Sequence, residues 1–309
     1  MTDAPRPIDR LVSFGTVVVD VLSFVPNLPE RGGDVFASGG TLEAGGGFIA
    51  MAAARREGLP TVHAGTTGTG PFGDLARARL AAAGIQTVLA PLPGVDTGLC
   101  LVLVEPSGER TFVTLPGAEG QFGPALLGQV PLRATDAVYL SGYGLVHPVT
   151  RRAILAALAA LPDPATLVVD PGPLGHDLAP AHLAALFNRA DWFSCNAREA
   201  TLLTGHTRAV EAAAALAVRL DPDGVRGSGK APRPGYAVVR VGAEGCILAV
   251  TGRPPVRVAA IPATVPSTNG AGDAHTGALI AALAAGRPPM AALRYANGAA
   301  LSFLRPSQP

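Results

Sequence analysis

Residues 267–273 read Ser-Thr-Asn-Gly-Ala-Gly-Asp and lead into an apolar, alanine-rich segment that is predicted to be helical. Gly270, Ala271 and Gly272 carry almost no side chain, so a ligand can closely approach their backbone N–H groups. In the first turn of a helix these N–H groups lack partners and the helix dipole is positive, which favours phosphate. Asp273 would repel that phosphate unless it serves to take a proton from an attacking nucleophile. A glycine-rich helix start with an acidic first turn is the simpler alternative.

The composition predicts a chain with a large apolar core. Of the 309 residues, 48% are hydrophobic and 15% are charged, and the net charge is +1. Such a length fits one large α/β domain or two domains, and the charge gives no reason to expect nucleic acid or membrane as a partner. Three well-separated cysteines, no signal segment and no apolar run of membrane-spanning length predict a soluble cytoplasmic protein.

Apolar strands and amphipathic helices alternate along most of the chain. After residue 136, strands are predicted at 137–140, 167–170, 191–194, 236–241 and 246–250, with helices between them and at 271–285 and 289–303. A valine-rich run, 11–20, is predicted to be one buried strand. This alternation predicts a parallel sheet with helices on both faces. Two segments, about 16–44 and 97–116, do not fit and are predicted to form a small antiparallel sheet that covers the site.

The 267–273 segment resembles the G-A-G-D signature of the ribokinase (PfkB) family of carbohydrate and nucleoside kinases. The resemblance covers residues 11–304 and leaves 1–10 and 305–309 as tails. It implies a ribokinase-like three-layer α/β/α domain with a mostly parallel central sheet and a small β-sheet lid. It also implies that the γ-phosphoryl group of ATP is transferred to a hydroxyl of a sugar or sugar derivative. Asp273 would be the general base, and Gly270, Ala271, Gly272 and Asp273 would form the anion hole.

Residues near the N-terminus match the part of the family pattern that binds the sugar. Asp20 lies five residues after Gly15 at a predicted strand end, and a carboxylate can accept two hydroxyl hydrogen bonds at once. Gly45 and Gly46 match a glycine turn that lets substrate hydroxyls reach the backbone. Ile49 stands where the family has an asparagine, so this chain departs from the pattern at a substrate position.

Other matches concern the nucleotide and its metal ion. Asn196 and Glu199 match N-x-x-E, in which the glutamate orients Mg²⁺ through water and the asparagine lies near the phosphates. The same spacing also fits a helix capping box. The remaining residues that the resemblance places at the nucleotide are Thr268, Gly270, Gly272, Gly242, Gly245 and Asn297. Many members have an aspartate at the position of Ser267 that helps to hold a monovalent cation, so potassium activation is doubtful here.

Three further interpretations stay open at this level. The chain is also compatible with a nucleoside kinase of the same family, or with a non-catalytic sugar- or nucleotide-binding relative, as Ser267 and Ile49 suggest. Residues 68–73, Gly-Thr-Gly-Pro-Phe-Gly, match a dinucleotide-binding turn of an NAD-dependent oxidoreductase, with Asp96 as the candidate ribose-binding acid. The family resemblance adds a possible homodimer formed through the lid.

Overall fold

The computed structural model describes residues 7–221, 234–263 and 270–304, and thirteen β-strands and nine α-helices lie within them. The strands are β1 (Arg10–Ser13), β2 (Val17–Phe24), β3 (Gly39–Gly46), β4 (Thr61–His63), β5 (Gln86–Thr87), β6 (Leu99–Val104), β7 (Arg110–Leu115), β8 (Asp136–Ser141), β9 (Thr166–Asp170), β10 (Trp192–Asn196), β11 (Tyr236–Arg240), β12 (Cys246–Val250) and β13 (Val256–Val258). The helices are α1 (Gly47–Arg56), α2 (Pro71–Ala82), α3 (Pro124–Leu127), α4 (Pro148–Ala159), α5 (Pro180–Arg189), α6 (Ala197–Thr204), α7 (Ala209–Leu220), α8 (Ala271–Ala284) and α9 (Pro289–Leu304).

Nine strands form the large sheet, in the order β13-β12-β11-β10-β9-β8-β1-β4-β5. The pairs from β5 to β11 are parallel, and β12 and β13 are added antiparallel at one edge. Strand β8 is buried along its whole length, as expected for a strand with helices on both faces. The predicted mostly parallel sheet is confirmed, while the two-residue β5 and the three-residue β13 were too short to be predicted.

Helices cover both faces of the large sheet and enclose two separate cores. On one face, α4, α5, α6 and α7 pack on residues such as Val138 and Val239. On the other face, α1, α2, α8 and α9 pack on residues such as Ala137 and Val238. Neighbouring strand residues therefore serve opposite cores, which is the alternation that a three-layer α/β/α arrangement requires.

A separate four-stranded sheet, the small sheet, has the order β3-β2-β6-β7. The β6–β7 and β2–β3 pairs are antiparallel, but β2 and β6 are parallel. The small sheet is therefore mixed and not purely antiparallel as predicted.

The single strand predicted over residues 11–20 is wrong, because this run supplies two strands to different sheets. Strand β1 pairs with β4 and β8 in the large sheet, and β2 pairs with β3 and β6 in the small one. The chain turns between them at Gly15, whose N–H donates to Ser13 Oγ at 3.0 Å. Both halves are largely apolar and mostly buried, so their apolar pattern does not show that their hydrogen-bonding partners change.

Two helix features position the site described below. Helix α8 is buried at every residue from 274 to 283 and packs between α1, α9 and the sheet. Helix α2 begins at Pro71, since proline is well suited to the first helical position. Within the described ranges, the helices are all too short or too polar to cross a membrane.

Candidate active site

The first turn of α8 leaves its backbone N–H groups without a side-chain cap among the described residues. Gly270 occupies the N-cap with φ of 73°, a left-handed conformation that glycine adopts without strain. A methyl group at position 270 would also lie only 2.6 Å from Ile49 Cδ1. The backbone angle therefore requires glycine, and a larger residue would also have to displace the end of the Ile49 side chain. The uncapped N–H groups give this turn the properties of an anion site.

Asp273 is the third residue of α8 and is partly buried. Its Oδ1 accepts a hydrogen bond of 3.1 Å from the hydroxyl of Tyr139, a fully buried residue of β8. Burial and the nearby Asp170 raise the pKa of Asp273 from 3.8 to about 7, against the lowering effects of Arg240 and of the Tyr139 hydrogen bond. A carboxylate with such a pKa is suited to proton transfer near neutral pH.

Arg240, at the end of β11, occupies the centre of a buried polar cluster beside α8. Its Nη1 lies 2.8 Å from Asp170 Oδ2, 2.8 Å from Ser194 Oγ and 3.2 Å from Thr276 Oγ1. Asp170 and Ser194 belong to β9 and β10, so the cluster lies near the carboxyl ends of three adjacent parallel strands. Open α/β sheets bind their ligands at this edge.

Asn196 and Glu199 form the capping box that their spacing allowed. The N–H of Glu199 donates to Asn196 Oδ1 and the N–H of Asn196 donates to Glu199 Oε2, both at 2.8 Å. Glu199 Oε2 also lies 3.9 Å from Arg240 Nη2. Burial and Asp170 raise the pKa of Glu199. One oxygen of this carboxylate is thus engaged by the protein itself.

The small sheet contributes a second acidic position. Asp20 on β2 is directly opposite Glu43 on β3, and burial together with Glu43 raises the pKa of Asp20 to about 6. A methyl group on Gly45 would overlap the carboxyl group of Asp20, so only glycine leaves room for this carboxylate. Like charges directly opposite each other destabilise a sheet. Residues that are retained despite such a cost are typical of binding sites.

Tyr143 connects the small sheet to the Asp273 region. It lies in the short turn Gly142–Leu145 after β8 and is 36% exposed. Its pKa is raised by burial and then by Cys100 of the small sheet and by Asp273. The charges of Cys100, which is opposite Asp20 in the small sheet, and of Asp273 therefore both act on the Tyr143 hydroxyl.

The structure places the other predicted positions at turns and at one contact between elements. Gly46 caps α1 with φ of 62°, and Gly242 and Gly245 flank the turn after β11. Asn297 donates its side-chain N–H groups to the carbonyl oxygens of Val258 and Ala259, which ties α9 to the end of β13. Thr268 and Ser267 lie outside the described residues, so the structure says nothing about them.

The dinucleotide interpretation of residues 68–73 is contradicted by the role of Asp96. Its carboxylate accepts hydrogen bonds from the N–H groups of Phe72 at 3.1 Å and Gly73 at 2.7 Å. These are the first-turn N–H groups of α2 that would have to bind a pyrophosphate. Asp96 is therefore the cap of α2 and not a ribose-binding acid.

Several residues of the site received no role in the sequence analysis, among them Tyr139, Tyr143, Arg240 and Glu43. Two of them left a signal, because Tyr139 and Arg240 are polar residues in otherwise apolar strands, Ala-Val-Tyr-Leu-Ser and Tyr-Ala-Val-Val-Arg. A polar group in a buried strand needs a partner, and that requirement could have identified both. Tyr143 and Glu43 left no such signal.

Sequence comparison now assigns the chain to a family. Residues 8–304 match the pattern that defines the pfkB family carbohydrate kinases. The chain belongs to this family. It is 31% identical over 299 residues to the uncharacterized sugar kinase YegV of Escherichia coli K12, which covers 93% of this chain and 85% of that protein.

Solved structures of an adenosine kinase and a ribokinase share the fold at low sequence identity. Adenosine kinase from Sinorhizobium meliloti aligns with a TM-score of 0.80 at 19% identity, over 99% of this chain and 97% of that one. Ribokinase from Cryptococcus neoformans var. grubii serotype A in complex with ADP aligns with a TM-score of 0.75 at 22% identity, over 97% and 95%. The predicted ribokinase-like fold is confirmed, and the pfkB chain is a sugar or nucleoside kinase by family.

Proposed function

We propose that this pfkB protein transfers the γ-phosphoryl group of ATP to a hydroxyl group of a sugar or sugar derivative. The proposal is carried by Asp273, a carboxylate with a pKa of about 7 in an uncapped helix turn that favours anions. The two properties act on a phosphate group in opposite ways, since the helix turn attracts it and the ionised carboxylate repels it. A base beside a phosphoryl acceptor site accounts for both.

In the proposed reaction, Asp273 takes the proton of the acceptor hydroxyl as its oxygen bonds to the γ-phosphorus. The bond from that phosphorus to the β–γ bridging oxygen breaks, and ADP leaves with the bridging oxygen. The N–H groups of residues 270–273 bind the phosphoryl oxygens on which negative charge collects. Tyr139 holds one carboxylate oxygen of Asp273 and leaves the other to receive the proton.

We assign Asp20, Gly45, Gly46 and Ile49 to the acceptor side of the cleft. A carboxylate opposite Glu43 can accept hydrogen bonds from adjacent sugar hydroxyls, and Gly45 gives it the space to do so. The similarity to a protein described as a sugar kinase favours a sugar over a nucleoside acceptor. Movement of the small sheet over the acceptor would exclude water and limit hydrolysis of ATP.

The nucleotide side of the proposal rests on the family and on the relative that was solved with ADP. We assign to it Asn196, Thr268, Gly270, Gly272, Gly242, Gly245 and Asn297. The described residues include no group of three or more His, Cys, Asp or Glu side chains that could hold a metal ion. The Asn196 N–H engages one oxygen of Glu199, and we assign the carboxylate a water-mediated contact with Mg²⁺. Bound Mg²⁺ would neutralise charge on the transferred phosphoryl group.

The test is release of ADP from Mg-ATP against a panel of sugars, sugar acids and nucleosides. Three proteins are compared: the parent, Asp273→Asn, and Glu211→Gln as the matched control. Glu211 is also the third residue of a helix, α7, but it is exposed and pairs with Arg208. Turnover that is abolished in Asp273→Asn and kept in Glu211→Gln supports the proposal.

Other outcomes of this assay separate the alternatives. Turnover with a nucleoside alone would identify a nucleoside kinase of the same family. Binding of ATP and of a sugar without product would identify a non-catalytic relative, for which the apolar Ile49 at a substrate position is the structural argument. Equal activity of Asp273→Asn and the parent would remove Asp273 as the base. A cytoplasmic location and the doubtful potassium dependence remain predictions.

We also propose that two copies associate through the small sheet. Its outward face carries Leu42, Leu101 and Val113, which are 46%, 42% and 58% exposed. They lie in one row of paired strands, because Val21 is opposite Leu42 and Leu101, and Leu101 is opposite Val113. Contiguous exposed apolar surface marks protein interfaces. A dimer by light scattering that Leu101→Lys converts to a monomer would support this, and a monomeric parent would refute it.

A further inference from the structure

Arg240 carries a permanent charge at a place where little water reaches it. Its side chain is only 12% exposed, and it ends a strand whose three preceding residues are buried and apolar. A buried cation is costly unless it is paired and hydrogen-bonded. The partners of Arg240 therefore indicate why the charge is kept.

These partners come from strands on one side and from α8 on the other. Asp170 and Ser194 bind the guanidinium from β9 and β10. Thr276 binds it from α8, and the Thr276 hydroxyl in turn donates to the carbonyl oxygen of Gly272 at 3.0 Å. One planar group thus connects the carboxyl ends of three strands to the first turn of α8.

The guanidinium also touches that first turn directly. A methyl group at position 272 would lie 3.0 Å from Arg240 Nη2 and 3.1 Å from Cζ, which is tighter than ordinary van der Waals contact. Gly272 therefore packs against the guanidinium. A rigid, planar guanidinium supports the backbone at this position better than the flexible ammonium group of a lysine would.

We infer that Arg240 is a positioning residue that fixes the N–H groups of residues 270–273 for the transferred phosphoryl group. The inference rests on the proposed function, because that function places the γ-phosphoryl group at this turn. Arg240 also offsets the negative charge of Asp170 and Glu199, which would otherwise repel phosphate. The γ-phosphoryl group distinguishes ATP from ADP, so Arg240 affects the affinity for ATP more than the affinity for ADP.

The experiment compares two arginine-to-lysine variants by calorimetric titration with Mg-ADP and with the β,γ-methylene analogue of Mg-ATP. Arg240→Lys keeps the charge but lacks the second guanidinium nitrogen, Nη2, which lies against Gly272. Arg10→Lys is the matched control, because Arg10 is likewise a buried arginine paired with an aspartate, Asp136, at the opposite end of the sheet, with Nε–Oδ1 at 2.7 Å and Nη2–Oδ2 at 3.0 Å. We expect Arg240→Lys to lower the ratio of analogue affinity to ADP affinity about tenfold, and Arg10→Lys to leave it unchanged.

Folding of the variants is followed by thermal melting. If Arg240→Lys does not fold, Arg240→Met combined with Asp170→Asn replaces it, because this pair leaves no unpaired buried carboxylate at position 170. An unchanged ratio of the two affinities, including one that results from an equal loss for both nucleotides, would overturn the positioning role and leave the proposed function intact. So would failure of both Arg240 variants to fold while Arg10→Lys folds. A parent protein that binds neither nucleotide would overturn the proposed function and this inference with it.

Discussion

Asp273→Asn is expected to stabilise the protein at alkaline pH while it removes the proposed base. The carboxyl group of Asp273 has a pKa of 3.8 in the unfolded chain and about 7 in the folded one. Between these values the folded state binds more protons than the unfolded state, so the free energy of unfolding falls as pH rises. Asparagine does not titrate and can still accept the hydrogen bond from Tyr139, so the variant lacks this fall.

The size of the effect follows from the two pKa values. One pKa unit corresponds to about 1.4 kcal/mol, and linkage over these values gives a loss of at most about 3 kcal/mol in the parent between pH 5 and pH 8. Partial exposure of Asp273 lets water reduce this value, so we expect the variant to gain about 1–3 kcal/mol relative to the parent over the same range. Using pH 5 as the reference cancels any effect of the substitution that does not depend on pH.

The assay is urea unfolding at pH 5, 6, 7 and 8, followed by the fluorescence of Trp192. This is the single tryptophan of the chain, and it is 4% exposed in the middle of the large sheet. Glu211→Gln is the control, since the exposed Glu211 should give a difference that is small at every pH. A difference between Asp273→Asn and the parent that stays constant with pH would refute the reasoning. A difference that shrinks toward pH 8 would refute it as well.

Three further substitutions test other contacts of the site. Tyr139→Phe removes the hydrogen bond that favours ionised Asp273, so the midpoint of the acidic limb in the pH profile of kcat/KM should move up by about one pH unit. An unshifted midpoint in a folded variant contradicts this. Gly45→Ala forces the Asp20 carboxyl to move and should raise KM for the acceptor about tenfold with KM for ATP unchanged, as initial rates will show. Asp96→Ala uncaps α2 and should lower the free energy of unfolding in urea by about 1–2 kcal/mol; no loss would exclude the capping role.

Much of the fold could be predicted because its elements are specified locally. The helices from α4 to α9 and the strands from β8 to β12 follow from apolar periodicity and from their glycine and proline boundaries, and their ends agree to within about two residues. The wrong predictions concern the pairing of strands, because pairing depends on residues that are far apart in the sequence. The run at 11–20 is divided between two sheets, and β2 pairs in parallel with β6, although more than seventy residues separate them.

The sequence by itself determined the glycine-rich turn, the position of Asp273 in it and the capping box of Asn196 and Glu199, because each depends on residues within one helical turn. Only the tertiary structure decided which distant groups surround Asp273. Tyr139 reaches it from 134 positions away, and Arg240 reaches Asp170 from 70 positions away. The pKa of Asp273 and the support of Gly272 depend on burial and on charge–charge distances. Those quantities exist only once the strands are placed side by side and α8 is packed over their carboxyl ends.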